Sequence, residues 1–388
     1  MLGRLWLLGL APLLLASRPQ DLRPFELADG ERVAFIGNTF VERDLEHNHL
    51  ETLLTTRFKD RSIVFRNLGW SGDTVFGHAR ASFGSTEDGF KHLARQAGEL
   101  KPTTVFLAYG MNESFEGERG LAEFSKGLER LLDVLASVRA RVVVLSPIRH
   151  EDLGRPLPDP ADHNRSLLLY IGALKEAASR RKHLFIDLYA LLGEKPGTDN
   201  GIHLNAEGYR RAAREIGKVL GLEPRPWKVE VDIGRSSIEA QGTRVRDLAA
   251  ATTRVSFEAT DEMLPGLAET GRTLYVRGLS PGRYVLKIGG SVAATGGSDE
   301  WARGIDFRKG GPFDRVEELR RAIAAKNLLY FNYWRPQNET YIFGFRKKEQ
   351  GHLQPETPLF LPLIADKEAV IAKLRVPEPQ PVTLEPEK

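Results

Sequence analysis

Between Val33 and Leu222, short apolar runs alternate five times with segments of helical period, and this alternation constrains the fold more than any other feature of the chain. The runs are VAFI (33–36), SIVFRNL (62–68), TTVFLAY (103–109), RVVVLS (141–146) and HLFIDL (183–188). A continuous apolar run suits a strand covered on both faces. Helical patterns lie between the runs and after the last, at about 40–58, 89–100, 119–138, 162–181 and 205–220. The order predicts an α/β domain over 31–222, a three-layer α/β/α sandwich around a five-stranded parallel sheet. In such sheets the working residues sit on loops beyond the C-terminal ends of the strands.

The pattern changes at GLEPRPW (221–227), where two prolines end the last helix. WKVEVDI (227–233), TRVSFEA (253–259), RTLYVRGL (272–279) and GRYVLKIGG (282–290) read as strands, and LSPG (279–282) as the turn of a hairpin between the last two. Helical spacing returns at 313–334, with a short helix at 365–374. Residues 227–375 are therefore expected to form a smaller β-rich module with terminal helices. The proline-rich, acidic tail 376–388 is expected to be extended. The aromatic and basic stretch 332–347 reads as core packing, with Trp334, Arg335 and Tyr341 as candidates for a domain interface.

The N-terminus carries Arg4 and then an apolar stretch of 12 residues, Leu5 to Ala16, followed by Ser17. That is too short to span a bilayer and suits a signal-peptide core, so residues 1–18 are expected to direct export to a bacterial periplasm or the extracellular space. An uncleaved anchor is the alternative; after cleavage no stable membrane insertion is expected. Cysteine is absent, which excludes disulfides, Cys nucleophiles and thiolate metal sites. The net charge of +3 and the lack of a basic run interleaved with aromatics argue against nucleic acid as a partner.

Four segments end or follow candidate strands: GNT (37–39), NLGWSGDT (67–74), YGMNES (109–114) and TDNGIHLN (198–205). Each has two readings. Thr39 and Glu42 form a T-x-x-E capping box, or Thr39 is a hydroxyl nucleophile at a strand-to-helix turn. Gly72 is a turn residue, or its bare backbone lets an N–H approach a developing oxyanion. Asn112 is a cap, or its amide is a further oxyanion donor. His203 is a half-buried loop histidine, or the general base, with Asp199 or Asn200 near enough to orient its ring.

Taken together and in this order, the four segments resemble the SGNH/GDSL hydrolase family over roughly residues 31–222. The resemblance places Thr39 on the family's nucleophilic Ser, Gly72 and Asn112 on its oxyanion donors and His203 on its base. It implies ester or acyl hydrolysis, often of O-acetyl groups on carbohydrate, with no cofactor and no metal. The partner it implies is a small-molecule or glycan ester. Two positions depart from the family pattern. The nucleophile slot holds Thr, a secondary alcohol with a stiff χ1. The acid slot of D-x-x-H holds Asn200, with Asp199 one residue away. An Asp-to-Asn change in such a triad costs about 10⁴ in turnover. A catalytically impaired protein that binds glycan on a retained hydrolase fold is therefore the alternative function.

Trp70, Glu113 and Glu151 are candidate substrate-binding residues: Trp70 as a platform for a sugar ring, Glu113 as the acid of G-M-N-E, and Glu151 on the proline-rich loop 146–164, which is also a possible source of a substitute acid or base. His47 and His49 fall at i, i+2 of a predicted helix, which do not share a face, so a metal pair is not expected there.

Overall fold

The computed structural model describes residues 25–223, 226–266, 271–335, 344–346, 348 and 354–387. The expected export segment 1–18 and Tyr341 lie outside the described residues.

Five parallel strands form the first sheet: β1 (Arg32–Gly37), β2 (Val64–Gly69), β3 (Thr104–Ala108), β4 (Arg141–Leu145) and β5 (Leu184–Ile186), in the order β2-β1-β3-β4-β5. Their side chains alternate between two apolar layers. Val33 and Phe35 enter one, with Leu54, Phe106, Val143 and Ile216; Ala34 and Ile36 enter the other, with Leu93, Leu107, Leu132 and Val144. Both faces are dry, which is why each strand is a continuous apolar run. The covering helices are α1 (Thr39–Arg43), α2 (His49–Arg57), α3 (Thr86–Leu100), α4 (Leu121–Ser137), α5 (Ala161–Arg180), α6 (Leu188–Leu192) and α7 (Ala206–Val219). The chain turns from β1 to β2 and then crosses to β3. A crevice opens at that reversal, beyond the C-terminal ends of β1 and β3.

The single helix expected over 40–58 is broken. A 3-10 turn (Asp44–Glu46) follows α1, and Asn48 adopts a left-handed φ of 56° before α2. His47 and His49 thus belong to different elements.

The second region is a β-sandwich. Its strands are β6 (Trp227–Asp232), β7 (Ser237–Gln241), β8 (Thr243–Ala251), β9 (Arg254–Asp261), β10 (Arg272–Arg277), β11 (Arg283–Ile288), β12 (Ser291–Gly297), β13 (Ile305–Phe307) and β14 (Gln380–Pro386). They form one sheet in the order β13-β10-β6-β7 and another in the order β12-β11-β14-β9-β8. Val229, Leu274 and Val276 from one meet Phe257, Leu286 and Val382 from the other. Its helices are α8 (Ser298–Arg303), α9 (Gly311–Trp334) and α10 (Phe360–Leu374).

One expectation for this region, the hairpin at LSPG, needs correction, and the extended tail proves to be part of a sheet. LSPG does not close a hairpin: β10 pairs with β6 and β13, β11 pairs with β12 and β14, and the turn carries the chain from one sheet to the other. The tail is extended but not free. Its β14 lies between β9 and β11, antiparallel to both, with Val382 and Leu384 in the core.

Helix α9 ties the two regions together. Lys326 is only 2% exposed. Its Nζ donates to Glu51 Oε1 on α2 at 2.6 Å and to the Phe65 carbonyl on β2 at 3.1 Å. Asn327 donates to Asn48 Oδ1 and Glu51 Oε2, both at 2.7 Å. A buried ion pair with these added hydrogen bonds favours one docking geometry, because slippage would strand a charge. Among the described residues no helix is long and apolar enough to cross a membrane.

Candidate active site

The chain leaves β1 through Asn38, whose side chain caps α1 by accepting from the Phe40 N–H at 3.1 Å. The capping box built on Thr39 is therefore not formed. Asn38 takes the capping place one residue earlier, and Thr39 stands in the first helical position with its hydroxyl uncommitted to the helix. Its Oγ1 instead accepts the Gly72 N–H at 3.0 Å. Glu42 reaches across to the same turn, where Oε2 accepts the Ser71 N–H at 2.7 Å. Gly72 has φ of +75° with no atom near the place of a Cβ, so backbone conformation rather than crowding calls for glycine there.

Thr39, Asn112 and His203 line one open pocket, together with Asn38, Met111 and Ser146. Asn112 donates one amide hydrogen to the Asp73 carbonyl at 2.7 Å, which orients the group and leaves its second hydrogen available. Asp73 itself is buried and accepts from Arg80 Nε at 2.7 Å, Tyr109 O–H at 3.1 Å and the Ala79 N–H at 3.2 Å. Burial and the neighbouring Asp73 charge push the Tyr109 phenol well above its ordinary range, so it stays a donor. This network fixes the turn that carries Gly72.

His203 lies on the loop before α7. Asn200 Oδ1 accepts two backbone N–H groups, from Ile202 at 3.3 Å and His203 at 3.0 Å. That fixes the amide's orientation, so its Nδ2 faces His203 Nδ1 at 3.0 Å. A donor at Nδ1 requires a bare nitrogen there, and the neutral ring then carries its proton on Nε2. Asp199 does not replace the missing carboxylate. It points away, pairs with Arg43 at 3.3 Å, and its side chain is 55% exposed. Desolvation, then Arg43, lower the His203 imidazole below its usual range, and Asp199 opposes them. No hydrogen bond joins Thr39 to His203 among the described residues.

The three candidate substrate contacts are structural. Trp70 is 7% exposed, with the Arg335 guanidinium 3.8 Å over its ring and Trp334 edge-on at 5.8 Å, so neither leaves room for a sugar. Glu113 is 7% exposed, and its two oxygens accept the N–H groups of Val75 and Gly110, each at 2.9 Å. It ties two of the four site segments together. Burial raises its pKa to about 7. Glu151 is 9% exposed; its Oε2 accepts the Thr198 N–H at 2.8 Å and the Thr198 hydroxyl at 2.6 Å, bracing the loop of His203. Residues 152–156 of loop 146–164 are exposed, whereas its two histidines turn inward. His150 Nδ1 lies 2.9 Å from His163 Nδ1, and His163 Nε2 lies 2.8 Å from Ser114 Oγ. Burial lowers His163 to about 4, so it is neutral. No group of three His, Asp or Glu among the described residues is placed to hold a metal ion.

Sequence reasoning missed Asn38 as the cap, and Arg80 as the buried partner of Asp73 in the turn that carries Gly72. The signal for the first was an asparagine directly before a helix. The second had none, because Arg80 is drawn in by tertiary burial.

The model of the GDSL-like lipase/acylhydrolase family matches residues 31–211. No curated protein matches the chain. Among solved structures, BT4096, a gut microbial diltiazem-metabolizing enzyme, is similar with a TM-score of 0.72 at 16% identity, over 94% of this chain and 99% of that one. That likeness in fold spans both regions. A catalytic mutant of Axe2, an acetylxylan esterase from Geobacillus stearothermophilus, matches with a TM-score of 0.41 at 18% identity, over 51% of this chain and 97% of that one.

Proposed function

We propose that this chain, whose residues 31–211 belong to the GDSL-like lipase/acylhydrolase family, is an esterase acting on O-acylated carbohydrate. The observation that carries the proposal is the Thr39 hydroxyl. It is free of the helix cap, held by the Gly72 N–H, and opens on the pocket that His203 and Asn112 also line. The family resemblance supports the carbohydrate class, and the export expected of residues 1–18 supports acylated glycan outside the cytoplasm as the substrate.

Thr39 Oγ1 attacks the acyl carbon while its proton passes to His203 Nε2. The Thr39 and Gly72 N–H groups and the free amide hydrogen of Asn112 stabilise the oxyanion. The carbon–oxygen bond to the sugar then breaks, and His203 returns the proton to the departing alcohol. Water hydrolyses the acyl-threonine by the same steps in reverse. His203 must first carry its proton on Nδ1 to present a bare Nε2, which sets two donors, Nδ1–H and the Asn200 amide, against each other. This lowers turnover by up to about 10⁴ relative to a carboxylate at the same place, or about 5.5 kcal/mol.

That same contact favours a second reading, a glycan-binding protein that has lost turnover. Purified full-length chain assayed on 4-nitrophenyl acetate and acetylated xylan separates the two. The esterase reading expects slow hydrolysis that disappears in Thr39→Ala and in His203→Ala. Activity surviving both changes refutes the mechanism. Glycan binding without any hydrolysis establishes the second reading.

A further inference from the structure

We propose that Arg335, at the end of α9, is a positioning residue for the Gly72 oxyanion donor, so that the C-terminal region completes the pocket of the first. The inference rests on the esterase reading above, and it concerns a residue outside the family domain.

Gly72 has no neighbour within 4 Å of the place its Cβ would take. On that side nothing holds it, so its position is set by its chain neighbours: Asp73 after it, held by the buried network, and Trp70 and Ser71 before it. The end of α9 meets Trp70 directly and reaches Ser71 through Glu42. The Ser71 N–H is held by Glu42 Oε2 at 2.7 Å, and the Arg335 guanidinium pairs with that same oxygen. The guanidinium also lies 3.8 Å over the Trp70 ring, which Trp334 meets edge-on. One side chain thus holds the carboxylate and the indole on either side of the Ser71 amide. Play in the turn is small at its base as well: a Cβ on Gly69 would lie 2.3 Å from the Glu42 nitrogen, so the end of β2 and the helix of Thr39 touch backbone to backbone. Helix α9 is itself anchored by Lys326 and Asn327 on Glu51. The grip of Arg335 is therefore delivered from a fixed point, and it orients the N–H that faces Thr39.

The test compares full-length wild type, Arg335→Ala and Arg335→Lys by amide hydrogen exchange and by kinetics on 4-nitrophenyl acetate. In Arg335→Ala, exchange at Ser71 and Gly72 should quicken at least about tenfold while amides of β1 and β3 stay protected. Turnover should fall roughly 10- to 100-fold with KM within about twofold, less than the loss of a whole oxyanion donor. Lysine should restore part of both. Unchanged exchange at Ser71 and Gly72 overturns the proposal whatever the activity. If Arg335→Ala quickens exchange throughout, Glu42→Gln decides, since it keeps an acceptor for Ser71 and removes the charge that draws Arg335. A rise confined to residues 70–72 supports the coupling, and no rise overturns it. Wild-type chain without hydrolysis, but with this local rise, defeats the esterase reading and leaves the coupling standing.

Discussion

Asn200 presents its amide nitrogen to Nδ1 of His203 at 3.0 Å, with its oxygen already committed to two backbone N–H groups. The amide has no freedom to flip, so the histidine is held with its proton on the nitrogen that faces the substrate. Asn200→Asp keeps the oxygen that accepts both backbone N–H groups and sets a second oxygen where the NH₂ stood. It should raise turnover on an aryl acetate by a factor between about 10 and 10⁴. Unchanged turnover in that variant would show that His203 does not act through Nδ1 orientation.

The pH profile follows from the His203 environment. Desolvation and Arg43 favour the neutral ring, so it remains able to accept a proton below the ordinary imidazole value of about 6.5. The acid limb of kcat/KM should lie below that value. Arg43→Ala removes a cation and leaves Asp199 unpaired, moving the limb up, whereas Asp199→Ala moves it down. Shifts of the same sign in both variants would contradict this assignment.

Glu113 makes stability depend on pH in an unusual direction. Its folded-state pKa is about 7 because of burial, whereas an unfolded Glu releases its proton near 4.3. Between those values the folded chain binds more protons, so this group's contribution is full at low pH and is lost as pH rises towards 7. Glu113→Gln should flatten the urea midpoint over that window, by at most about 1.4 kcal/mol per pH unit. It should also destabilise by about 1–3 kcal/mol, since an amide N–H would face the N–H of Val75 or Gly110. A midpoint profile identical to wild type would rule this out.

Removing residues 380–388 deletes a middle strand, not a loose tail. β9 and β11 would lose their common neighbour, and Val382 and Leu384 would leave the core. The truncated chain should lose cooperative unfolding of the sandwich and become protease-sensitive across 226–307. Wild-type protease resistance would mean that β14 is dispensable.

The sequence was enough for the five strands and most of their helices. Strand boundaries lie within about two residues of expectation, because a strand buried on both faces must be an unbroken apolar run and a helix must repeat its apolar stripe. The same local logic found four segments that meet at one rim, since in a parallel sheet every strand ends at the same edge. It did not decide what the side chains at that rim face. Whether Thr39 caps its helix depended on Asn38 one residue earlier, and whether Trp70 meets a sugar depended on Arg335. Glu113 and Glu151 look like any surface carboxylate in sequence, and only folding brought their N–H partners to them.

Local periodicity determined this protein's layers because it reflects which face of an element is dry, a property each segment carries alone. Partner choice is different: Glu42 and Arg335 are 293 positions apart, and β14 pairs with β9 and β11, which lie far back along the chain. Pairings across such distances are set by closure of the whole chain and by the need of each buried polar group for a partner, so only the tertiary structure could decide them.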